Sequence, residues 1–270
     1  MKRRLIQLCA ALLYNLNLKG FAEASIYKGK SKGLCVPGLN CYSCPGAVGS
    51  CPLGTLQNAL SAMDRKLPFY ILGVLLLFGV TMGRTICGFL CPFGLVQELL
   101  YRIPVPKIKK NRVTQELSKV KYVILAVFVI ILPVVFKAAS GLPVPAFCKY
   151  ICPAGTLEGG IPLVLLDDSL SGLAGALFHW KVLVLAVILL SACFLYRSFC
   201  RILCPLGAIY SLFAPVALLG VRIDRDTCVD CGRCVRTCKM DVRQVGDREC
   251  IQCGECTPRC RAAASLPERQ

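Results

Sequence analysis

The chain is poor in histidine and in charged residues. It has one histidine, His179, and four methionines among 270 residues. Haem held by histidine and zinc sites built on histidine are therefore nearly excluded, because both depend on ligands that the chain lacks. Only 17% of the residues are charged and the mean hydropathy is +0.62, whereas a soluble domain carries about 25% charged residues. An ordinary soluble globular protein is therefore nearly excluded as well.

Acidic residues are scarce, with 15 Asp and Glu against 32 Lys and Arg, a net charge of +17. The excess does not lie in the C-terminal tail, which from Arg222 onward has ten basic and eight acidic residues. A nucleic-acid-binding protein would carry a basic patch on a soluble domain. Here the positive charge lies in loops between apolar segments, which is typical of loops that flank a membrane. We expect membrane lipid as a partner, and no nucleic acid.

Signatures of stand-alone catalysis are missing too. The sequence has no Gly-x-Gly-x-x-Gly loop and no Ser/His/Asp arrangement, but it has 20 cysteines. A disulfide scaffold fits poorly, since such scaffolds are short and polar. The composition indicates a membrane protein whose cysteines bind metal and which works with a partner oxidoreductase rather than as an enzyme by itself.

Four apolar runs carry no charge. Each has 14 to 16 residues, fewer than the about 20 that a spanning helix needs, but flanking Lys and Arg can lengthen the span. The runs are Leu5–Leu18, Pro68–Gly83, Tyr122–Phe136 and Val182–Tyr196. We expect an all-α polytopic membrane protein with about four transmembrane helices. Core helices of a soluble protein are the alternative, and the first run also resembles a signal peptide, although we favour an uncleaved helix.

The basic loops predict an orientation in the cytoplasmic membrane. The loop between the second and third runs has eight Lys and Arg and should face the cytoplasm, whereas the next loop has three and should face outside. Both termini should then be cytoplasmic. The first outer segment, residues 19–67, has six Lys and Arg, which opposes this orientation.

A fourfold repeat accompanies the runs. Each run is followed by Cys-Pro-x-Gly and a second apolar stretch, and such repetition indicates duplication. Proline suits the first position of a helix, so each cysteine would cap a helix whose N-terminal N–H groups favour anions. The motif cysteines are Cys51, Cys91, Cys152 and Cys204. We divide the chain into a transmembrane iron–sulfur domain, 1–221, with repeats 1–66, 67–116, 117–178 and 179–221, and a ferredoxin domain, 222–270.

The cysteines of the repeats predict two 4Fe-4S clusters. Each cluster needs four thiolates, so we pair the repeats that end on the same membrane face. Repeats two and four supply Cys87, Cys91, Cys200 and Cys204. Repeats one and three supply Cys51, Cys148, Cys152 and one of Cys35, Cys41 and Cys44. Either the two surplus cysteines form a disulfide, or the first repeat binds a cluster of its own. Nearby Arg84, Arg197 and Arg201 could offset the charge of the clusters.

The tail carries the same cysteine spacing twice, with two, two and three residues between successive cysteines. This is the spacing of bacterial two-cluster ferredoxins, in which the fourth cysteine ligates the other cluster. One predicted set is Cys228, Cys231, Cys234 and Cys260, and the other is Cys250, Cys253, Cys256 and Cys238. Lys239 and Arg261 replace the usual proline, which should alter the potential rather than the ligation. We expect a small α+β ferredoxin domain with two 4Fe-4S clusters.

Together these motifs resemble the membrane polyferredoxin family, defined by Cys-x₃-Cys-Pro at membrane helix ends and a C-terminal two-cluster ferredoxin. The family includes the membrane iron–sulfur subunit of periplasmic nitrate reductase, the nitrous-oxide reductase regulator and the assembly protein of cbb3-type oxidases. The resemblance covers most of the chain from about Cys35. It implies electron transfer at the cytoplasmic membrane, with the ferredoxin module in the cytoplasm, and leaves the donor and acceptor open.

Three functions are compatible with the sequence. The first is an electron conduit from a cytoplasmic donor, across or along the membrane, to a partner redox protein or complex. The second is a quinone-linked subunit, for which Glu98, Glu158 and Tyr210 are candidate proton-handling residues, although ordinary interfacial polar residues explain them as well. The third is an assembly or metal-handling factor that uses the surplus cysteines.

Overall fold

The structure, a computed structural model, describes residues 2–61, 68–108, 110–167, 169, 172, 174–224, 226–259 and 263–265. These residues are mostly helical. The helices are α1 (Lys2–Tyr14), α2 (Lys19–Ala22), α3 (Pro52–Ser61), α4 (Phe69–Thr81), α5 (Thr85–Phe89), α6 (Pro92–Leu100), α7 (Arg112–Leu117), α8 (Val120–Ile124), α9 (Leu132–Ser140), α10 (Ala146–Tyr150), α11 (Ile161–Leu166), α12 (Ala176–Phe194), α13 (Ser198–Ile202), α14 (Pro205–Phe213) and α15 (Arg233–Thr237).

Shorter elements complete the fold. Wider π-helical turns, Leu125–Ile131 and Gly155–Gly160, join α8 to α9 and lead into α11. Single 3₁₀ turns cover Lys30–Gly33 and Thr257–Arg259. The strands β1 (Val221–Ile223) and β2 (Ala263–Ser265) pair antiparallel, with Val221 opposite Ser265. The described part of the tail thus contains one short helix and a two-stranded sheet.

Two of the four predicted membrane helices reach spanning length. The helical stretches Arg112–Ser140 and Ala176–Phe194 have 29 and 19 residues and are apolar enough to cross a membrane, for which about 20 residues are needed. The second run forms only the 13-residue α4. Four spanning helices are therefore not found among the described residues, although the apolar runs themselves do form helices.

The first run is shortened by two asparagines. Helix α1 ends at Tyr14, and the Asn15 side chain donates to the carbonyl of Ala11 at 2.9 Å. Asn17 donates to the carbonyl of Pro45 at 2.9 Å, so the chain turns to hold the following loop. Asparagine side chains compete with helical backbone hydrogen bonds in this way, which explains why the predicted run to Leu18 stops early.

The apolar runs alternate in direction. We call the end of the bundle that contacts the C-terminal tail the tail end, and the opposite end the loop end. Helices α1 and α8 begin at the tail end, and α4 and α12 begin at the loop end. The contacts that place them are Arg3 with Glu255, Lys121 with Glu249, Tyr70 with Gly33, and Trp180 with Tyr150. The bundle is therefore up-and-down, as expected for runs that cross the same layer.

The bundle is apolar outside, and it buries three arginines near its tail end. Large side chains of α12 such as Leu183, Val187 and Leu190 are 56–63% exposed, whereas Arg84, Arg197 and Arg201 are at most 1% exposed. Charged groups are rarely buried unless they are paired. Apolar side chains on the outside together with buried, paired arginines are expected where the surroundings of the bundle are lipid.

Candidate metal centres

The cysteines of repeats two and four come together at the tail end, and we call them the tail-side set. They are Cys87, Cys91, Cys200 and Cys204. Cys91 and Cys204 are the N-caps of α6 and α14, each followed by proline at the first helical position. All four are buried. Burial, together with the nearby Cys200 and Cys87, raises the pKa of Cys91 to about 12.

Four cysteines of repeats one and three line a cavity of about 460 Å³, and we call them the loop-side set. They are Cys41, Cys51, Cys148 and Cys152. Burial raises the pKa of Cys41 to about 12, with a further contribution from the neighbouring Cys152. Because metal binds the thiolate, loading this set would release protons.

Only one of the three alternative first-repeat cysteines lines this cavity, namely Cys41. The Cys35 sulfur lies 3.6 Å from the Thr55 hydroxyl, and the Cys44 sulfur lies 3.5 Å from the side-chain oxygen of Asn15. Both are free thiols at separate places. A disulfide between the two surplus cysteines, one of the two alternatives that the sequence left open, is therefore not present in the structure. The loop brings a single cysteine to the set.

The motif glycines keep the space around the sulfurs open. A Cβ at Gly155 would lie 3.7 Å from Cys152 Sγ and 3.8 Å from Cys41 Sγ. A Cβ at Gly207 would lie 3.7 Å from Cys204 Sγ. The backbone N–H groups of these two glycines also donate to the motif sulfurs, at 3.4 Å and 3.3 Å. Four thiols around a glycine-lined space with helix N-termini fit an anionic cubane cluster.

The geometry does not suit a single metal ion. Among the described residues no three His, Cys, Asp or Glu side chains are arranged to hold one ion. A zinc ion would need sulfurs about 2.3 Å from one point. The four irons of a cubane stand at separate corners, so its cysteine sulfurs are spread more widely.

All three arginines near the tail-side set contact carboxylates. Arg197 donates to Glu98, at 2.6 Å from Nη2, and Arg201 pairs with Asp241. Arg84 Nη1 donates to the carbonyl of Arg248 at 2.8 Å and to Glu249 Oε2 at 3.3 Å. Its Nε and Nη2 are buried without a hydrogen-bond partner among the described residues.

In the tail, five cysteines line one cavity. They are Cys234, Cys238, Cys250, Cys253 and Cys256. Burial, together with the neighbouring Cys250 and Cys253, raises the pKa of Cys256 to about 12. The fourth cysteine of the first motif thus lies near the first three of the second, as the ligand assignment of two-cluster ferredoxins requires, and the assignment itself stays a prediction.

The other tail set is described only in part. Cys231 is exposed, and the Cys228 sulfur lies 3.7 Å from the Asp230 carboxylate. Cys260 lies outside the described residues. This set therefore remains a prediction from the spacing.

The tail-side and loop-side sets lie close together, which differs from the expectation of opposite membrane faces. A Cβ at Gly38 would lie 3.3 Å from Cys91 Cα. Gly38 stands three residues before Cys41 of the loop-side set, so the Cα atoms of Gly38 and Cys41 are at most about 11 Å apart. Since the hydrocarbon layer is about 30 Å thick, the sets are not separated by a bilayer. The physical reason is the loop between α2 and α3, which folds back into the bundle.

The three predicted proton-handling residues all hydrogen-bond to the protein. Glu98 is 2% exposed and accepts from Arg3, Arg197 and Tyr196. Glu158 accepts from the backbone N–H of Cys41 at 2.7 Å, and Tyr210 donates to the carbonyl of Pro37 at 2.9 Å. Their contacts are structural, and a role with quinone stays a prediction.

A family model described as a 4Fe-4S binding domain matches residues 50–70, 67–111, 122–161 and 176–223, more than half of the chain. The chain belongs to this family. Each matched segment contains one Cys-Pro-x-Gly motif. Membership in the 4Fe-4S binding domain family supports 4Fe-4S clusters as the cofactor of the cysteine sets. The matches do not include the tail motifs, for which the cysteine spacing is the evidence.

Relatives of this 4Fe-4S protein include an uncharacterised protein of Methanocaldococcus jannaschii, 29% identical over 63% of this chain and 64% of that protein. MauN of Paracoccus denitrificans, a methylamine utilization ferredoxin-type protein, is 26% identical over 72% and 62%. YccM of Escherichia coli, named as a candidate electron transport protein, is 23% identical over 72% and 54%. The chain spans about half to two thirds of these curated relatives. No solved structure matches it.

Sequence reasoning missed two residues that contact these cysteine sets, Gln57 and Gln97. Each stands six residues after a motif cysteine, and each amide contacts a sulfur of the partner repeat, Cys148 or Cys200. The sequence signal that could have identified them is that both glutamines occupy the same position of the repeat. These contacts directly join repeat one to three and repeat two to four, the pairing that the cysteines predict.

Proposed function

We propose that this protein carries electrons across or along the cytoplasmic membrane, between a cytoplasmic donor and a membrane or extracytoplasmic partner oxidoreductase. Bound 4Fe-4S clusters supply one-electron storage and transfer at the cysteine sets. The observation that carries the proposal is the continuous series of three cysteine sets, from the tail through the tail-side set to the loop-side set. The family and the ferredoxin-type relatives support the same class of activity.

The ligands of this series are assigned from the grouping of the sulfurs. Four cysteines would hold each membrane cluster, and eight would hold the two clusters of the tail. In this assignment Cys41 completes the loop-side set, and Cys35 and Cys44 are not ligands. The tail ligands are Cys228, Cys231, Cys234 and Cys260 for one cluster, and Cys250, Cys253, Cys256 and Cys238 for the other.

The tail is held directly against the tail-side set. Gly88, which follows Cys87, packs on the backbone of Ile251, and a Cβ at Gly88 would lie 3.8 Å from Cys253 Cα. Lys121 binds Glu249 of the tail at 2.5 Å. Residues next to the tail cysteines therefore contact residues next to the tail-side cysteines. This contact keeps the distance for electron transfer between the two sets short.

The second junction, between the two membrane sets, is made by the chain before Cys41. Leu39 and Asn40 line the loop-side cavity, while Gly38 packs on Cys91. Tyr210, fully buried in α14, holds this segment through its bond to Pro37. Three consecutive residues thus connect the sets.

The membrane location rests on the two apolar helices and on the basic loops. With the tail in the cytoplasm, the strongly basic loop between α4 and α8 lies on the same side, as the positive-inside rule requires. The loop-side set would then lie toward the outer half of the membrane. Its cavity is lined by Lys181 and Asn58 as well as the sulfurs, so a partner could approach it.

Replacing Cys148 and Cys152 together by serine is expected to stop electron delivery from the loop-side set. The tail and tail-side sets should still load and be reduced, because their cysteines come from other parts of the chain. The measurement is reduction of an impermeant acceptor by protein in sealed vesicles, with the clusters followed by electron paramagnetic resonance (EPR).

The matched control is Cys193→Ser, since this cysteine lies in α12 and its thiol contacts the carbonyl of Leu189 at 3.5 Å. The control should deliver electrons at the wild-type rate. Undiminished delivery by the double variant would reject the loop-side set as the exit.

A further inference from the structure

Two glutamines hold equivalent places in the two membrane sets. Gln57 lies in α3 and Gln97 lies in α6, each six residues after the motif cysteine of its repeat. Both side chains are completely buried. A buried amide must find partners for its donors and its acceptor, so their contacts define what they do.

Gln57 reaches from repeat one into repeat three. Its Nε2 donates to Cys148 Sγ at 3.3 Å and to the carbonyl of Leu53 at 3.2 Å. Its Oε1 accepts from the backbone N–H of Phe147 at 2.9 Å. The amide therefore holds both the sulfur of Cys148 and the peptide group just before it.

Gln97 makes the same three contacts in the other set. Its Nε2 donates to Cys200 Sγ at 3.1 Å and to the carbonyl of Phe93 at 3.3 Å. Its Oε1 accepts from the backbone N–H of Phe199 at 3.0 Å. The arrangement thus occurs twice, once in each set, with distances that agree within about 0.2 Å.

The orientation of each amide follows from its contacts. A backbone N–H can only donate, so it must face the Oε1 oxygen. The NH₂ group is then left to face the sulfur, and a flipped amide would place two donors against each other at the peptide. The amide N–H groups therefore point at Cys148 and Cys200 by necessity.

The corresponding residues of the other two repeats do not contact sulfur in this way. Glu158 accepts from the backbone N–H of Cys41 at 2.7 Å, and Tyr210 donates to the Pro37 carbonyl at 2.9 Å. Each membrane set therefore receives one glutamine amide, directed at one of its four sulfurs.

We propose that Gln57 and Gln97 are positioning residues that each fix one sulfur ligand and raise the reduction potential of one membrane cluster. Gln57 acts on the loop-side cluster and Gln97 on the tail-side cluster. The physical reason is that a hydrogen bond to a ligand sulfur stabilises the reduced, more negative state of a cluster. This inference rests on the proposed function, because it requires clusters in both sets.

The experiment compares Gln57→Glu and Gln97→Glu in redox titrations followed by EPR. Glutamate keeps the shape and the acceptor oxygens but loses the NH₂ donor, so the potential of the adjacent cluster should fall. The potential of the other membrane cluster should not change, which makes each variant a control for its partner. Gln115→Glu, in α7, adds the same charge without a sulfur contact and should shift neither.

Gln57→Leu and Gln97→Leu provide a second pair that removes the hydrogen bonds without adding charge, and they should lower the same potentials. Loaded clusters with wild-type potentials, or equal shifts of both clusters in every variant, would overturn the inference while leaving the proposed function intact. Failure of both variants at one position to load their cluster would show a role in assembly alone and also overturn it. Absence of both membrane-cluster signals from wild-type protein would reject the proposed function itself.

Discussion

Gly88→Ala is expected to slow electron transfer between the tail and the tail-side set by tenfold or more. A Cβ at Gly88 would lie well inside van der Waals contact of the Ile251 carbonyl oxygen. The oxygen belongs to the backbone and the backbone fixes the position of the Cβ, so neither atom can rotate aside, and overpacking of this kind costs about 1–3 kcal/mol. The tail would have to move away from α5, and transfer rates fall steeply with distance.

The measurement is rapid mixing of the variant with a reductant of the tail, with freeze-quenched EPR of the tail and membrane clusters. The tail clusters should load and be reduced normally, whereas the tail-side cluster should lag. Gly73→Ala is the matched control, because nothing lies within 4 Å of a Cβ at Gly73. Reduction of the tail-side cluster at the wild-type rate in Gly88→Ala would show that electrons do not cross at this junction.

Arg197→Met is expected to destabilise the protein by about 3–5 kcal/mol, the usual cost of breaking a buried ion pair from one side. The guanidinium is completely buried, and its Nε and Nη2 lie 2.9 Å and 2.6 Å from Glu98 Oε1. Its Nη1 also donates to the carbonyl of Cys87. Arg3 would still bind Glu98, but the Cys87 carbonyl would lose this donor.

Thermal unfolding in detergent, read by the loss of cluster absorbance, measures this effect. Lys119→Met is the comparison, since Lys119 and Glu116 form an ion pair in which both side chains are about two-thirds exposed. Such pairs contribute about 0–1 kcal/mol. If Arg197→Met unfolded at the same temperature as Lys119→Met, the buried Arg197–Glu98 pair would not hold the tail-side set together.

The grouping of the cysteines could be read from the sequence because it depends on repetition. Cys-Pro-x-Gly after each apolar run fixes the sulfur at the start of a helix, and alternating runs place repeats one and three together and two and four together. The structure has the same grouping. The sequence could not show that Cys41 is the fourth member of the loop-side set, because this depends on how the loop between α2 and α3 folds back.

The separation of the two membrane sets was the main error of the sequence reasoning. It assumed that a cysteine at the end of an apolar run lies at the membrane surface. Instead, Gly38 brings the loop against Cys91, which is possible only because glycine has no side chain at this contact. Hydrophobic periodicity predicts neither this close approach nor the contacts of Gln57 and Gln97 with sulfurs of the partner repeats. Both are contacts between residues that are far apart in the sequence.

Iron and acid-labile sulfide per chain, measured on anaerobically purified protein, test the central claim most directly. The central claim is that clusters occupy the tail and both membrane sets. Four 4Fe-4S clusters correspond to about 16 irons and 16 sulfides per chain, whereas the two tail clusters alone correspond to about 8 of each. We expect a value near 16. A value near 8 in fully loaded protein would contradict the claim, because the membrane cysteines would then hold no cluster.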